Sequence, residues 1–328
     1  MVQATHASCT AAGCRPAPCR QQRQRRLRPC AAAGAGPDSG TPATRSVVVL
    51  PGLGNNSKDY AGLVEQLQQR GLHVEVAPVN RLDWGRNASG LRYREYWAGT
   101  LQPRPTVDWY LQRVGQAVEA AKRATDGAPM TLLAHSAGGW LGRLFLLDFD
   151  RTGIDRFVSL GSPMLPPPEG VIDQTRGILT WIMDATPGCY HSDVQYTTVA
   201  GRFIQGAPLL GPGSWQQRVV GAGYKQVCGE ATAWGDGVVP VPSAHMEGAQ
   251  QITVEGCYHS PLGAEDGRAL ESVQLSSDDG EAAAVAAVEA GAGRKPRLWY
   301  GSHSLLDEWV DALGQPAAAS EAAASVRR

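Results

Sequence analysis

The sequence has no apolar run that approaches the roughly 20 residues needed to cross a bilayer, so it does not predict an integral membrane protein. It also lacks an excess of either charge. The 328 residues include 30 basic and 31 acidic ones, so the net charge is -1. A nearly neutral chain offers no electrostatic reason to bind nucleic acid. Hydrophobic residues make up 43% and charged residues 19%, as in a globular protein with one large or two small domains.

Acidic residues are almost absent from residues 1–44, where Asp38 is the only one. Arginines are frequent there, among Ala, Gln, Pro and Thr, and no apolar h-region accompanies them. This composition predicts a disordered leader that resembles an organelle transit peptide and not a secretory signal. The chloroplast is the expected location and the mitochondrion is the alternative. A basic arm that binds an anionic partner is the other interpretation.

Few cysteines remain outside this leader. Four of the seven lie within it, and their spacing fits no zinc site because no histidine follows at finger spacing: Cys9, Cys14, Cys19 and Cys30. The other three are Cys189, Cys228 and Cys257, and an odd number does not favour a disulfide framework. Buried free thiols are therefore expected, with a regulatory Cys228–Cys257 disulfide as the alternative.

Short apolar runs alternate with helical patterns along the rest of the chain. Strands are predicted at residues 45–50, 72–77, 130–135, 157–160, 197–200 and 251–254. Helices are predicted from Asn55 or Ser57 to Arg70, over 107–123 and over 137–149. Strands separated by helix-length segments indicate βαβ units, so the predicted fold is α/β, with a doubly wound, mostly parallel sheet.

One domain is predicted over residues 45–314, with two segments outside its regular pattern. Residues 163–190 lie where such folds insert a small cap over the site. Residues 264–296 are rich in Ala, Gly, Glu, Asp and Ser, which predicts a mobile insertion. The Ala-rich tail, residues 315–328, is expected to be disordered.

The segment around Ser136 has the form of a nucleophile elbow, G-x-S-x-G, with Ala134 in the first glycine position and Gly138 in the second. A predicted strand runs directly into a predicted helix at this serine. The helix N-terminus beneath the serine favours developing negative charge. Serine is a weak nucleophile at its free pKa, so the motif requires a base and an acid that orients the base.

Both partners are found downstream of the serine. Asp236 lies between two glycines in Gly-Asp-Gly-Val-Val-Pro, and His259 follows the last predicted strand. The chain order Ser, Asp, His is the order of the α/β-hydrolase triad. An ordinary Asp-Gly turn is the alternative interpretation of Asp236. The weaker candidates are Asp184 and Asp193 for the acid and His245 for the base.

An oxyanion hole requires one N–H from the residue after the nucleophile, which is Ala137, and one from the loop after an earlier strand. Leu53, in Leu-Pro-Gly-Leu-Gly-Asn, is the predicted second donor, and an ordinary strand-end turn is the alternative. His135 is expected to be structural or to line the pocket. No metal or organic cofactor is implied, because the sequence shows no ligand cluster and no phosphate-binding loop.

The motifs Ala-His-Ser-Ala-Gly-Gly, Gly-Asp-Gly-Val-Val-Pro and Tyr-His-Ser-Pro resemble those of the α/β-hydrolase superfamily, in particular its lipase-like and GPI inositol-deacylase-like ester hydrolases. Residues 49–60 and 103–110 resemble uncharacterised hydrolases of cyanobacteria, algae and plant plastids. The resemblance covers residues 45–263 and 296–312 and implies an α/β-hydrolase fold and ester hydrolysis. It implies no particular substrate. It also strengthens the chloroplast interpretation of the leader.

These features predict a serine ester hydrolase that works through an acyl-enzyme, on acyl lipids or related carboxylic esters. The apolar segment 178–183 is expected either to line a lipid site or contact a membrane surface, or to pack as an ordinary helix. Acyl transfer or thioester cleavage on the same triad is an alternative. A non-catalytic binding protein with the same fold is another, since a fold does not determine a function.

Overall fold

The structure is a computed structural model that describes residues 45–264 and 297–314. The predicted leader, nearly all of the predicted insertion and the predicted tail lie outside these residues, so the expectations about them stay predictions. The described residues contain ten strands: β1 (Ser46–Leu50), β2 (His73–Val76), β3 (Met130–His135), β4 (Ile154–Leu160), β5 (Gln195–Arg202), β6 (Ile204–Gln205), β7 (Trp234–Gly235), β8 (Gln250–Glu255), β9 (Cys257–Tyr258) and β10 (Leu298–Trp299).

The described residues also contain eight α-helices: α1 (Ala61–Gln69), α2 (Arg94–Ala98), α3 (Asp108–Ala124), α4 (Ala137–Asp148), α5 (Ile178–Ala185), α6 (Trp215–Cys228), α7 (Val241–Ala244) and α8 (His303–Leu306). Three 3-10 helices of the described residues span Ser57–Tyr60, Arg81–Arg92 and Val310–Leu313. Across residues 45–264 and 297–314, no helix combines the length and the hydropathy that a membrane crossing needs.

A six-stranded sheet, all of whose strands are parallel, organises the fold in the order β2-β1-β3-β4-β5-β8. Both faces are covered, because Val48 and Leu50 pack among α3 and α4 whereas Val47 and Val49 pack among α1 and α8. Alternate strand residues point to opposite faces, so a strand buried on both sides reads as a continuous apolar run. The predicted α/β fold with a parallel sheet is confirmed, and the carboxyl ends of its strands meet at one edge.

The start of the first helical segment differs from the prediction. The cap is Asn56, whose side chain accepts from the Lys58 N–H. The side chain of Asn55 instead contacts Asp59, and the Ser57 hydroxyl bonds to carbonyls before the second 3-10 helix. Three consecutive residues can cap a helix by the same chemistry, so the sequence alone does not select among them.

The apolar segment in the predicted cap packs as an ordinary helix. Ile178, Leu179, Ile182 and Met183 in α5 are buried in the core cluster that includes α4. These positions fall on one side of a helix, which is the side turned toward the core. Their burial supports the alternative in which the segment packs as an ordinary helix, and the lipid-site alternative stays a prediction.

The three cysteines outside the leader are free thiols. Cys257 is buried, whereas Cys189 and Cys228 are half-buried. Burial raises the pKa of all three thiols, so none is activated as a thiolate nucleophile. The expectation of free thiols is confirmed, although only Cys257 is fully buried, and the Cys228–Cys257 disulfide is not formed.

Candidate active site

Ser136 lies at the junction of β3 and α4 with a backbone φ of 53°. Positive φ is uncommon for a residue with a side chain, and such strain concentrates at functional sites. The turn also brings α4 against the end of β1, where a side chain at Gly138 would overlap the Leu50 carbonyl. The small residues of the motif are thus required by the close approach of helix and strand.

The structure brings the three predicted side chains together. His259 Nε2 lies 3.0 Å from Ser136 Oγ, and His259 Nδ1 lies 2.7 Å from Asp236 Oδ2. Asp236 is fully buried and His259 nearly so, whereas Ser136 is half-buried. A carboxylate, an imidazole and an accessible hydroxyl are therefore connected by hydrogen bonds in that order.

A tight turn after β7 fixes the Asp236 carboxylate. Oδ1 accepts the N–H groups of Val238 and Val239 at 2.9 and 2.8 Å, and the Asp236 carbonyl accepts the His259 N–H at 3.0 Å. Gly237 has a φ of 102°, which a residue with a side chain rarely adopts. Oδ1 thus forms the turn while Oδ2 faces His259. Asp236 therefore fits both interpretations, because one oxygen of its carboxylate forms the Asp-Gly turn and the other bonds to His259.

Tyr300 also contacts this carboxylate, and the sequence did not predict it. Its hydroxyl donates to Asp236 Oδ2 at 2.8 Å and accepts the Gly201 N–H at 2.8 Å. Burial raises the pKa of the Tyr300 hydroxyl, which therefore stays protonated and able to donate. Tyr300 reaches the site because β10 pairs with β9, immediately before His259. The only signal in the sequence was the apolar Leu-Trp-Tyr run, residues 298–300, which spacing does not connect to Asp236.

Replacing Tyr300 by phenylalanine should reduce kcat about tenfold and destabilise the protein by about 1–3 kcal/mol, because the buried Gly201 N–H and Asp236 Oδ2 both lose a partner. Ester turnover and urea unfolding measure the two effects. Tyr196→Phe is the control, because that hydroxyl accepts the His191 N–H near the start of β5, at the opposite end of the strand from Gly201. Unchanged turnover in Tyr300→Phe would contradict a positioning role for the hydroxyl.

The two predicted oxyanion donors lie on segments that meet at Ser136. Ala137 is the first residue of α4, so its N–H has no partner within the helix. Leu53 follows Gly52, and a Cβ built on Gly52 would lie 2.7 Å from the Ser136 Cβ. The loop is closed by an Asn55 N–H to Gly52 carbonyl bond of 3.1 Å. The roles of Leu53 and Ala137 as donors stay a prediction.

The weaker candidates are not brought to Ser136. Both ring nitrogens of His245 are bonded to threonine hydroxyls of β5 and β8, at 3.0 and 3.1 Å. Asp193 is paired with Arg151 at the surface, and Asp184 is exposed on α5. In the part of the chain that the structure describes, no group of three or more His, Cys, Asp or Glu side chains is arranged to hold a metal ion.

Residues 41–195 match the family model described as serine aminopeptidase, S33, of the Hydrolase_4 group. The matched residues include β1 to β4 and the elbow at Ser136, and they end before Asp236 and His259. Three features of this chain occur together in one known fold. They are the parallel sheet, the strained turn from strand to helix at the serine, and the chain order Ser, Asp, His. The chain has the α/β-hydrolase fold.

Several solved structures are similar to this α/β-hydrolase-fold chain. Bacillus licheniformis lipase BlEst2 is 16% identical with a TM-score of 0.41, over 68% of this chain and 87% of that one. A putative hydrolase of the α/β superfamily from Xanthomonas campestris pv. campestris is 16% identical with a TM-score of 0.35, over 66% and 88%. A Listeria innocua gene product is 14% identical with a TM-score of 0.40, over 66% and 87%. No curated protein matches the chain in sequence.

The resemblance to hydrolases of plastids and cyanobacteria stays a prediction, as does the more specific resemblance to GPI inositol-deacylase-like enzymes. The sheet and the elbow establish the fold, whereas the reaction depends on the side chains of the site.

Proposed function

We propose that the protein is a serine hydrolase that cleaves carboxylic esters through an acyl-enzyme on Ser136. The observation that carries this proposal is the continuous hydrogen-bonded line from Ser136 Oγ through His259 to Asp236 Oδ2, with distances of 3.0 and 2.7 Å. A serine hydroxyl becomes a useful nucleophile when such a base removes its proton during attack.

In the proposed reaction, Ser136 Oγ attacks the ester carbonyl carbon while His259 Nε2 takes the hydroxyl proton. Asp236 Oδ2 accepts the His259 Nδ1–H and stabilises the imidazolium that forms. The N–H groups of Leu53 and Ala137 are proposed to bind the oxyanion. His259 then protonates the leaving alcohol, and water, activated by the same imidazole, hydrolyses the acyl-enzyme.

A fluorophosphonate probe tests this chemistry directly, because it traps a serine that an adjacent base activates. The expected result is labelling of the wild-type protein at Ser136 and hydrolysis of p-nitrophenyl butyrate, with both lost in Ser136→Ala. An unlabelled wild-type protein that cleaves no ester would contradict the proposal and favour the non-catalytic binding protein.

The bond that is cleaved can be tested against its alternatives. The matched family model is described as an aminopeptidase, so amino-acid p-nitroanilides are the amide comparison. Acyl-CoA thioesters, and ester hydrolysis in the presence of added alcohol, test thioester cleavage and acyl transfer. We expect p-nitrophenyl esters to have the highest kcat/KM. Faster cleavage of the anilides or thioesters would overturn the ester assignment while leaving the serine chemistry intact.

We further infer that the acyl group is apolar. The loops that carry the site residues, and the loop after β4, expose apolar side chains: Leu53 in the predicted oxyanion loop, Leu165 after β4, Val238 next to Asp236 and Leu262 after His259. Burying such surface against a hydrocarbon chain stabilises a complex by roughly 0.8 kcal/mol for each methylene group. Acyl lipids are therefore the proposed substrates, and contact with a lipid surface is a further part of this proposal.

A chain-length series checks this inference. We expect kcat/KM for p-nitrophenyl esters to rise from acetate to longer acyl chains, and we expect Leu262→Gln to reduce that rise. The acetate ester is the internal control, since it presents too little hydrocarbon to contact the loop. A flat or falling series would contradict an apolar acyl site.

We propose a chloroplast location for the protein, on the composition of residues 1–44. A fluorescent protein fused after residue 44 should enter plastids of plant or algal cells, whereas a fusion to residues 45–328 should not. Import into mitochondria would support the alternative location. Retention of both fusions in the same compartment would contradict a targeting role for the leader.

A further inference from the structure

Behind Ser136, a line of buried hydrogen bonds connects the loop that holds Leu53 to the loop that holds His259. The Gly52 N–H donates to Tyr60 Oη at 2.9 Å. Tyr60 Oη lies 2.8 Å from His135 Nδ1, and His135 Nε2 lies 2.9 Å from the His259 carbonyl oxygen. The line runs from the residue before the predicted oxyanion donor to the backbone of the base.

The chemistry of the end groups, together with a neutral His135 ring, fixes the direction of every bond in this line. A carbonyl oxygen only accepts, so His135 Nε2 must carry a proton and donate it to His259. At the other end the Gly52 N–H only donates, so Tyr60 Oη accepts there. The hydroxyl of Tyr60 then donates a hydrogen bond to His135 Nδ1, which is the acceptor nitrogen of the neutral ring.

The surroundings of Tyr60 and His135 keep both side chains in one protonation state. Tyr60 and His135 are almost completely buried, and both rings pack edge-on against the indole of Trp299. Burial, followed by the nearby His259, lowers the pKa of His135 to about 3. Burial also raises the pKa of Tyr60 far above its usual range. Neither group changes charge at the pH values where the triad works, so the bond directions stay the same.

We propose that Tyr60 and His135 form a bridge that positions the oxyanion loop (residues 51–55) and the catalytic histidine relative to each other. This inference rests on the proposed function and assigns a task to two residues that take no part in its chemistry. Each is a positioning residue, because each acts through the backbone of Gly52 or His259 and not on the substrate.

Such a bridge has a specific task during the reaction. The oxyanion donors and the base must act on one tetrahedral centre, and a misplacement of about 1 Å costs about 100-fold in rate. The His135 and His259 rings are 5.0 Å apart, so a cationic His135 would oppose the charge that His259 acquires. A neutral imidazole provides the two hydrogen bonds without that repulsion.

Three substitutions separate the two halves of the bridge. Tyr60→Phe removes the hydroxyl and therefore the bonds to Gly52 and to His135. His135→Gln places an amide N–H near the Nε2 position and retains the bond to His259. His135→Asn places an oxygen near the Nδ1 position and retains only the bond from Tyr60.

The experiment measures kcat, KM and melting temperature with p-nitrophenyl butyrate, after titration of active sites with the fluorophosphonate. We expect kcat to fall about 10- to 100-fold in Tyr60→Phe and His135→Asn, with KM changed less than about threefold, because the loss is in transition-state geometry. His135→Gln should lose a comparable amount, because it keeps the bond to His259 but breaks the bond from Tyr60. Tyr196→Phe, which deletes a buried hydroxyl away from the site, should keep the wild-type kcat.

Several results would overturn the bridge. One is wild-type kcat for each titrated site in Tyr60→Phe and His135→Asn, even with a lowered melting temperature. Another is wild-type kcat in either His135 variant, since each breaks the line at one bond, or an equal loss in the Tyr196→Phe control. If Tyr60→Phe does not fold, the two His135 variants still test the bridge. A wild-type protein that neither reacts with the probe nor cleaves the ester would overturn the proposed function, and the bridge with it.

Discussion

Asp236→Asn will lower kcat by about four orders of magnitude while the protein stays folded. The reason lies in what each oxygen of the carboxylate accepts. Oδ1 accepts two backbone N–H groups, from Val238 and Val239, so an asparagine must place its oxygen there. Its NH2 group is then directed at His259 Nδ1 and at the Tyr300 hydroxyl, where Oδ2 accepts in the native protein.

An NH2 group cannot accept a proton from His259 Nδ1, so the imidazole must turn to the other tautomer and carry its proton on Nε2. That nitrogen faces Ser136 Oγ at 3.0 Å and can then no longer remove the serine proton. The nucleophile, the oxyanion donors and the fold are unchanged. The loss should therefore appear in kcat and in the rate of fluorophosphonate labelling.

Stopped-flow acylation by p-nitrophenyl butyrate and the labelling rate measure this prediction. Asp193→Asn is the matched control, because that exposed carboxylate pairs with Arg151 and should leave kcat unchanged. A loss of less than tenfold in Asp236→Asn would assign the orienting role to another group. A loss of folded protein would show up in circular dichroism before any kinetics are interpreted.

Gly52→Ala will reduce kcat by about 100- to 1,000-fold, the effect expected when an oxyanion donor is displaced. A Cβ at this position would lie 2.7 Å from the Ser136 Cβ and 3.0 Å from His135 Nδ1. Neither neighbour can withdraw, because Ser136 is fixed by the strained turn and His135 by its bonds to Tyr60 and His259. The loop itself must shift, and the Leu53 N–H shifts with it.

Steady-state kinetics and inhibition by a boronic acid, which forms a tetrahedral adduct on the serine, measure this displacement. We expect affinity for the boronic acid to fall in parallel with kcat/KM, as is expected when transition-state binding is lost. Gly62→Ala in α1 is the control, because its Cβ would meet nothing within 4 Å. Wild-type turnover in Gly52→Ala would show that the oxyanion loop does not supply a donor.

The fold could be predicted because its signals are local. β1 and β3 are buried on both faces and appear as mainly apolar runs, and the elbow at Ser136 combines strand, turn and helix within a few residues. The order of Ser136, Asp236 and His259 along the chain follows from the order of the strands that carry them. These features need no knowledge of distant contacts.

What could not be predicted depends on contacts between distant parts of the chain. Tyr60 is 75 residues from His135 and Tyr300 is 64 residues from Asp236, and no spacing rule connects either tyrosine hydroxyl with its partner. The apolar face of α5 could be recognised, but an apolar pattern does not say which surface it meets. The placement of His135 follows from the strand, whereas its two bonding partners do not.

The hydrogen bond from Tyr300 to Asp236 also determines when the site is finished during synthesis. During translation Ser136, Asp236 and His259 leave the ribosome in that order, and Tyr300 follows them. Until β10 adds to β9, the carboxylate lacks one of its donors, and the Gly201 N–H lacks its acceptor. In a nascent chain the proposed site is therefore complete only when its last described segment, residues 297–314, has docked, after the sheet is already complete.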